Sequence, residues 1–166
     1  MDLAQELSKA IDFEQKGHDI YTNASKSTKN ELVKKTFGYL AEQEIFHKKA
    51  IESYAKKNIA DIKLAGDSSK KTEEFFNMTI KEFSKKSTLS KDDIIAHETA
   101  LHLEKSSYDY YKDLYTKSKE LAAKNFFKFL MEQEEAHYEL IEKAYYYISD
   151  PIGYEAHEER WFPEGG

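Results

Sequence analysis

The chain has 166 residues, enough for one domain with a sizeable core. Its 31 acids against 25 bases leave a net charge of −6, so no basic surface is available for a phosphate backbone and nucleic acid is not an expected partner. With no cysteine, these residues can form no disulfide, thiolate zinc site or iron–sulfur cluster.

From the N-terminus, Met1–Glu6 has neither the basic start nor the apolar run of a signal peptide, which predicts a cytoplasmic protein. Apolar residues at helical spacing predict a first helix over about 2–25, with Leu3, Leu7, Ala10, Glu14 and Tyr21 on one face. Ser25–Thr28 reads as a turn, and Thr28 with Glu31 as a capping box for a second helix. That helix runs to about residue 58 and carries Phe37, Leu40, Glu44, His47 and Ile51 in line. Residues 59–89 read as a long crossover. Within it Gly66–Ser69 is loop, and Thr72 to about Lys85 is a short helix with Phe75, Phe76, Ile80 and Phe83 at helical spacing. Ser90, followed by Asp92 and Asp93, is a good N-cap for a third long helix. After a turn at Thr116–Lys119, a fourth spans about 119–148 with Phe127, Leu130, Glu134, His137 and Ile141 in line. Residues 149–166 read as an irregular tail whose Trp161 and Phe162 pack on the bundle. No stretch approaches the roughly 20 apolar residues of a membrane span. The expected class is all-α: a four-helix bundle over 1–148.

The chain repeats itself at an offset of 90 residues. Phe37, Leu40, Glu42, Gln43, Glu44, His47, Ile51 and Glu52 meet Phe127, Leu130, Glu132, Gln133, Glu134, His137, Ile141 and Glu142 without a gap. The same shift lays Ala10, Glu14, Asp19 and Tyr21 over Ala100, Glu104, Asp109 and Tyr111. Two copies of one helical hairpin account for both matches.

Hairpin arithmetic then places the acids. Glu14 and Glu44 are 30 residues apart about residue 29, and Glu104 and Glu134 are 30 apart about residue 119, both midpoints at predicted turns. Antiparallel helices rise equally, so the two glutamates of each hairpin share one level, roughly 22 Å from the turn. Glu44 and His47, like Glu134 and His137, are three residues apart on one side of a helix. Four carboxylates and two imidazoles thus converge inside an apolar core. Burying an unpaired carboxylate costs several kcal/mol, and two divalent cations would offset four negative charges. Oxygen-rich sites with imidazole suit iron or manganese, with zinc also open. A Glu from each of two helices with Glu-x-x-His from two others is a pattern of di-metal carboxylate bundles. Tyr21 and Tyr111, two turns beyond their glutamates, are candidate hydrogen-bond donors to the opposite pair's carboxylates, or simply core tyrosines. Gly17 and Ser107, three residues after Glu14 and Glu104, leave space for a small oxidant or serve helix packing. His18, His97, His102 and His157 have no repeat partner and read as surface or core residues.

Glu14…Tyr21, Glu44-x-x-His47, Glu104…Tyr111 and Glu134-x-x-His137 together resemble the ferritin-like domain of rubrerythrins over roughly residues 2–148. The resemblance implies a di-iron site on Glu14, Glu44, His47, Glu104, Glu134 and His137, with Glu44 and Glu134 bridging. It also implies reduction of hydrogen peroxide and a homodimer. Two departures stand out. The four-cysteine rubredoxin domain typical of the family is missing here, so electrons must come from another protein, such as a rubredoxin. Ser107 also occupies the place of the extra glutamate usual one turn after the third-helix ligand. Three other readings stay open: a ferroxidase consuming dioxygen, a manganese catalase-like enzyme, and a non-catalytic bundle with a structural metal.

Overall fold

The structure, a computed structural model, describes residues 2–56, 68–82 and 88–154. Four long helices, α1 (Leu3–Ser27), α2 (Glu31–Ala55), α4 (Lys91–Lys117) and α5 (Leu121–Ser149), form the bundle, and α3 (Ser68–Glu82) packs outside it against α5 and α2. The loops within the hairpins, 28–30 and 118–120, are centred on residues 29 and 119, as the arithmetic required. Within one chain α1 also meets α4 and α2 meets α5, which closes the bundle. This is the doubled-hairpin all-α bundle expected from the repeat, with the ferritin-like architecture that the resemblance implies.

Local chemistry sets the helix starts. The Asp2 side chain accepts from the backbone N–H groups of Ala4 and Gln5 and caps α1. Ser90 and Asp93 form a reciprocal capping box on α4. The expected box of Thr28 and Glu31 is not what starts α2. Asn30 is the cap, accepting from Leu32 and Val33 N–H, while Thr28 Oγ1 accepts from Asn30 N–H. Thr28 Oγ1 in turn donates to Asp93 Oδ1 at 2.5 Å, tying the first hairpin loop to the start of α4.

The crossover helix begins at Ser68, earlier than expected, so Ser68 and Ser69 are helical rather than loop. Its Phe76 is buried against Tyr147 and Tyr154, and Phe75 stacks on Tyr39 at 4.1 Å between ring centroids. Residues 151–154 make a helical turn where an irregular tail was expected. Trp161 and Phe162, the expected end of α2 at residue 58 and Phe83–Lys85 lie outside the described residues. No helix among the described residues is long and apolar enough to cross a membrane.

The core has two apolar clusters. One contains Tyr21, Phe37, Leu40, Ala100, Leu140 and Ile141; the other contains Leu7, Ala10, Ile51, Tyr111, Phe127 and Leu130. Along each long helix the sequence passes from one cluster to the other, and the residues between them are Glu14, Glu44, His47, Glu104, Glu134 and His137. A polar layer is held between two dry ends.

Candidate metal centre

All six side chains are buried, none more than 4% exposed. Glu44, His47, Glu134 and His137 offer ligand atoms that lie within 4.8 Å of one another. The imidazoles of His47 and His137 stack, with centroids 5.0 Å apart and planes 12° from parallel. His47 Nδ1 lies 3.2 Å from Glu14 Oε2 and 3.1 Å from Glu134 Oε1. His137 Nδ1 lies 3.6 Å from Glu104 Oε2 and 3.7 Å from Glu44 Oε1. Each histidine therefore faces the glutamate of its own hairpin's first helix and the glutamate of the other hairpin's Glu-x-x-His. That crossing between hairpins could not be read from spacing along the chain.

The crossed arrangement extends outward. The Tyr21 hydroxyl donates to Glu104 Oε1 and the Tyr111 hydroxyl donates to Glu14 Oε1. Burial, and then the carboxylates they face, push both phenols well above their usual range, so they stay protonated and keep the O–H that each donates to its carboxylate.

Charge among the ligands is uneven. Burial and then the neighbouring acids, Glu14 foremost, push the Glu44 carboxyl well above the usual carboxylate range. Burial, then Glu14 and Glu104, does the same to Glu134. Burial works against ionised Glu14 too, but the charge of His47 and hydrogen bonds from His47, Glu44 and Tyr111 outweigh it and hold Glu14 low. Burial would also lower His47, yet Glu14 and Glu134 push it up to about 10. Among these side chains alone, the directions favour a Glu14–His47 ion pair and protonated carboxyls at Glu44 and Glu134.

Several donor atoms have nowhere to go within the protein. His47 Nε2, His137 Nδ1, Glu104 Oε2 and Glu134 Oε1 are buried with no hydrogen-bond partner among the described residues. Glu134 Oε1 is close to His47 Nδ1 but not aligned with it for a hydrogen bond. An unmet buried polar group costs about 1–3 kcal/mol. Converging nitrogen and oxygen donors that do not satisfy one another fit divalent cations.

Two small residues flank the layer. A Cβ at Gly17 would come 2.7 Å from Glu44 Oε2, so the space beside Glu14 is taken by the Glu44 carboxylate and is not left free for an oxidant. The Ser107 hydroxyl turns back to the Leu103 carbonyl at 3.1 Å. Of the unpaired histidines, His97 is buried in the core, where its Nδ1 lies 2.7 Å from the Asp93 carbonyl. His18 Nδ1 lies 2.9 Å from the Ala41 carbonyl, His102 is exposed and His157 lies outside the described residues.

A protein-family model described as Rubrerythrin matches residues 6–145. No curated protein and no solved structure matches the chain.

Proposed function

The chain belongs to the rubrerythrin family, and on that premise we propose that it is a di-iron oxidoreductase reducing hydrogen peroxide with electrons from an external donor protein. The observation that supports it best is the pair of crossed donor sets in a buried layer: His47 with Glu14 and Glu134, and His137 with Glu104 and Glu44. In this reading Glu14, Glu44, His47, Glu104, Glu134 and His137 would hold the two ions, with Glu44 and Glu134, which reach across the hairpins, as the proposed bridging ligands. Two iron ions, when bound, supply one electron each and Lewis acidity to the oxygen–oxygen bond of peroxide.

The chain's own residues supply the setting. The apolar clusters at both ends exclude bulk water and strengthen every electrostatic interaction in the layer. Tyr21 and Tyr111 fix the orientation of Glu104 and Glu14, leaving the opposite oxygen of each facing a histidine. Glu44 and Glu134 give up their protons when cations take the layer. These 166 residues hold no thiolate, and an external donor such as a rubredoxin is the proposed source of reducing equivalents. The cytoplasm is the proposed setting and a homodimer the proposed assembly.

Anaerobic titration of metal-free protein with Fe(II) should reach two ions per chain and fall in His47→Ala. Rapid mixing of the ferrous protein should show faster oxidation by peroxide than by air-saturated buffer. Equal or slower oxidation by peroxide would sink the peroxidase assignment in favour of a dioxygen-consuming ferroxidase. Oxygen evolution from peroxide without a reductant would instead mark catalase chemistry.

A further inference from the structure

The 90-residue repeat makes the two faces of the bundle comparable residue by residue, and they differ in charge and in access to the polar layer. Between α4 and α5 a groove of about 430 Å³ runs from the surface to the polar layer, lined by Glu104, Tyr108, Glu134, Glu135, Glu139 and Glu142, with Lys105 also at its wall. Its floor is made by Glu104 and Glu134, each 1% exposed, whose Oε2 and Oε1 receive no hydrogen bond. Its rim carries the exposed acids Glu135, Glu139 and Glu142, none of which makes an ion pair among the described residues. Lys105 is drawn to Asp109, 3.4 Å away.

Shifted by 90 residues, Lys105, Tyr108, Glu135, Tyr138, Glu139 and Glu142 of the groove become Gln15, His18, Ile45, Lys48, Lys49 and Glu52 on the α1–α2 face. Three acids against one lysine become one acid against two lysines. Lys48 Nζ also donates to Gln15 Oε1 at 2.8 Å, bridging α1 and α2 where the other face is open. A pocket on the α1–α2 side is lined by His18, Gly38, Ala41, Ile45 and neighbours, and neither Glu14 nor Glu44 is in its lining.

We infer that divalent cations reach the buried layer through the α4–α5 groove, steered by Glu135, Glu139 and Glu142 and received by the inner carboxylates Glu104 and Glu134. This rests on the metal-site reading above. A cleft of one sign with low-dielectric walls raises local counter-ion concentration and speeds association by about 10- to 1,000-fold, an effect that salt screens. The three rim acids do not touch the layer's donors, so they should govern the rate of loading and not the final occupancy.

The test uses Co(II) chloride, a redox-stable probe whose visible absorption follows loading in a rapid-mixing experiment on the metal-free chain. In the triple variant Glu135→Gln, Glu139→Gln, Glu142→Gln, loading at low ionic strength should slow at least about 5-fold, within the steering range, while the end-point stoichiometry stays at the parental value. Added salt should slow the parent and leave the variant nearly unaffected. The double variant Lys48→Gln, Lys49→Gln on the other face should not slow loading. A triple variant that loads at the parental rate with the parental salt dependence overturns the route while leaving the site intact. Failure of the parent to take up Co(II) overturns the site itself, and the route with it.

Discussion

Gly17 is the residue on which the layer's geometry most visibly depends. Its backbone conformation is ordinary helix, so what its missing side chain provides is room for the Glu44 carboxylate. In Gly17→Ala the intrinsic helix preference improves by about 1 kcal/mol, but the new methyl displaces the Glu44 carboxyl, which lies beside His137 in the buried layer. The expected outcome is a folded helical protein, by circular dichroism, whose Co(II) stoichiometry falls below two. Full uptake by this variant would show that Glu44 has another place to go. Tyr111→Phe tests the hydrogen bond to Glu14: removing the hydroxyl strands a buried carboxylate oxygen, so urea unfolding of the metal-free protein should show a loss of about 1–3 kcal/mol. Tyr21→Phe should behave alike, because it stands in the same relation to Glu104. The sequence already offers both tyrosines as candidate donors to the opposite pair's carboxylates; which carboxylate of that pair each one meets is set by α1 lying against α4.

At the scale of the element, the helices themselves were easy to read and their boundaries less so. Ser90 was recognisable as a cap because Asp92 and Asp93 follow it, and the full box with Asp93 forms. Thr28 looked equally good, yet Asn30 sits two residues closer to the helix and its amide oxygen reaches Leu32 and Val33 N–H at 3.0 and 3.1 Å. Thr28 is instead engaged by Asp93, a contact 65 residues away that no local pattern announces. Asn30→Ala should therefore cost about 1 kcal/mol in thermal unfolding, whereas Glu31→Gln should be close to neutral. A larger loss at Glu31 than at Asn30 would restore the capping box. The crossover helix starts ahead of its apolar face, since Ser68–Lys71 carries no large apolar residue to announce it.

For the whole molecule, metal, protons and stability are linked. Glu44 and Glu134 sit above their ordinary value when folded without metal, and His47 is pushed up to about 10. A group raised in the folded state contributes stability that is complete below its unfolded value and is lost as pH rises through the folded one. For the two carboxyls that loss begins above about pH 4.3, and for His47 it runs from about pH 6.5 upward. Metal-free protein should thus lose stability from this layer as pH rises, while loaded protein, its ligands already deprotonated, should not. His97, which burial holds low, works in the opposite direction but is common to both forms and cancels in the difference. The gap in melting temperature between loaded and metal-free protein should widen from pH 5 to pH 8, with protons released on loading detectable in weakly buffered solution. At a free ion concentration 100-fold above Kd, the loaded form gains about 2.7 kcal/mol. A gap that narrows with pH would contradict the assigned protonation states.

Periodicity, caps and the 90-residue offset are enough to define the four long helices, the doubled hairpin and the level at which Glu14, Glu44, His47, Glu104, Glu134 and His137 meet. Helical periodicity and equal rise on two antiparallel helices are local properties, and a repeat at one offset copies them. Helix packing set how the two copies face each other: His47 with Glu134, His137 with Glu44, and, within the opposite pair that the sequence already offered the tyrosines, Glu104 for Tyr21 and Glu14 for Tyr111. It also decided which face of the bundle opens to the acids of α5 and which is bridged by Lys48. Those relations depend on packing between helices far apart in the chain, where spacing along the sequence carries no distance information.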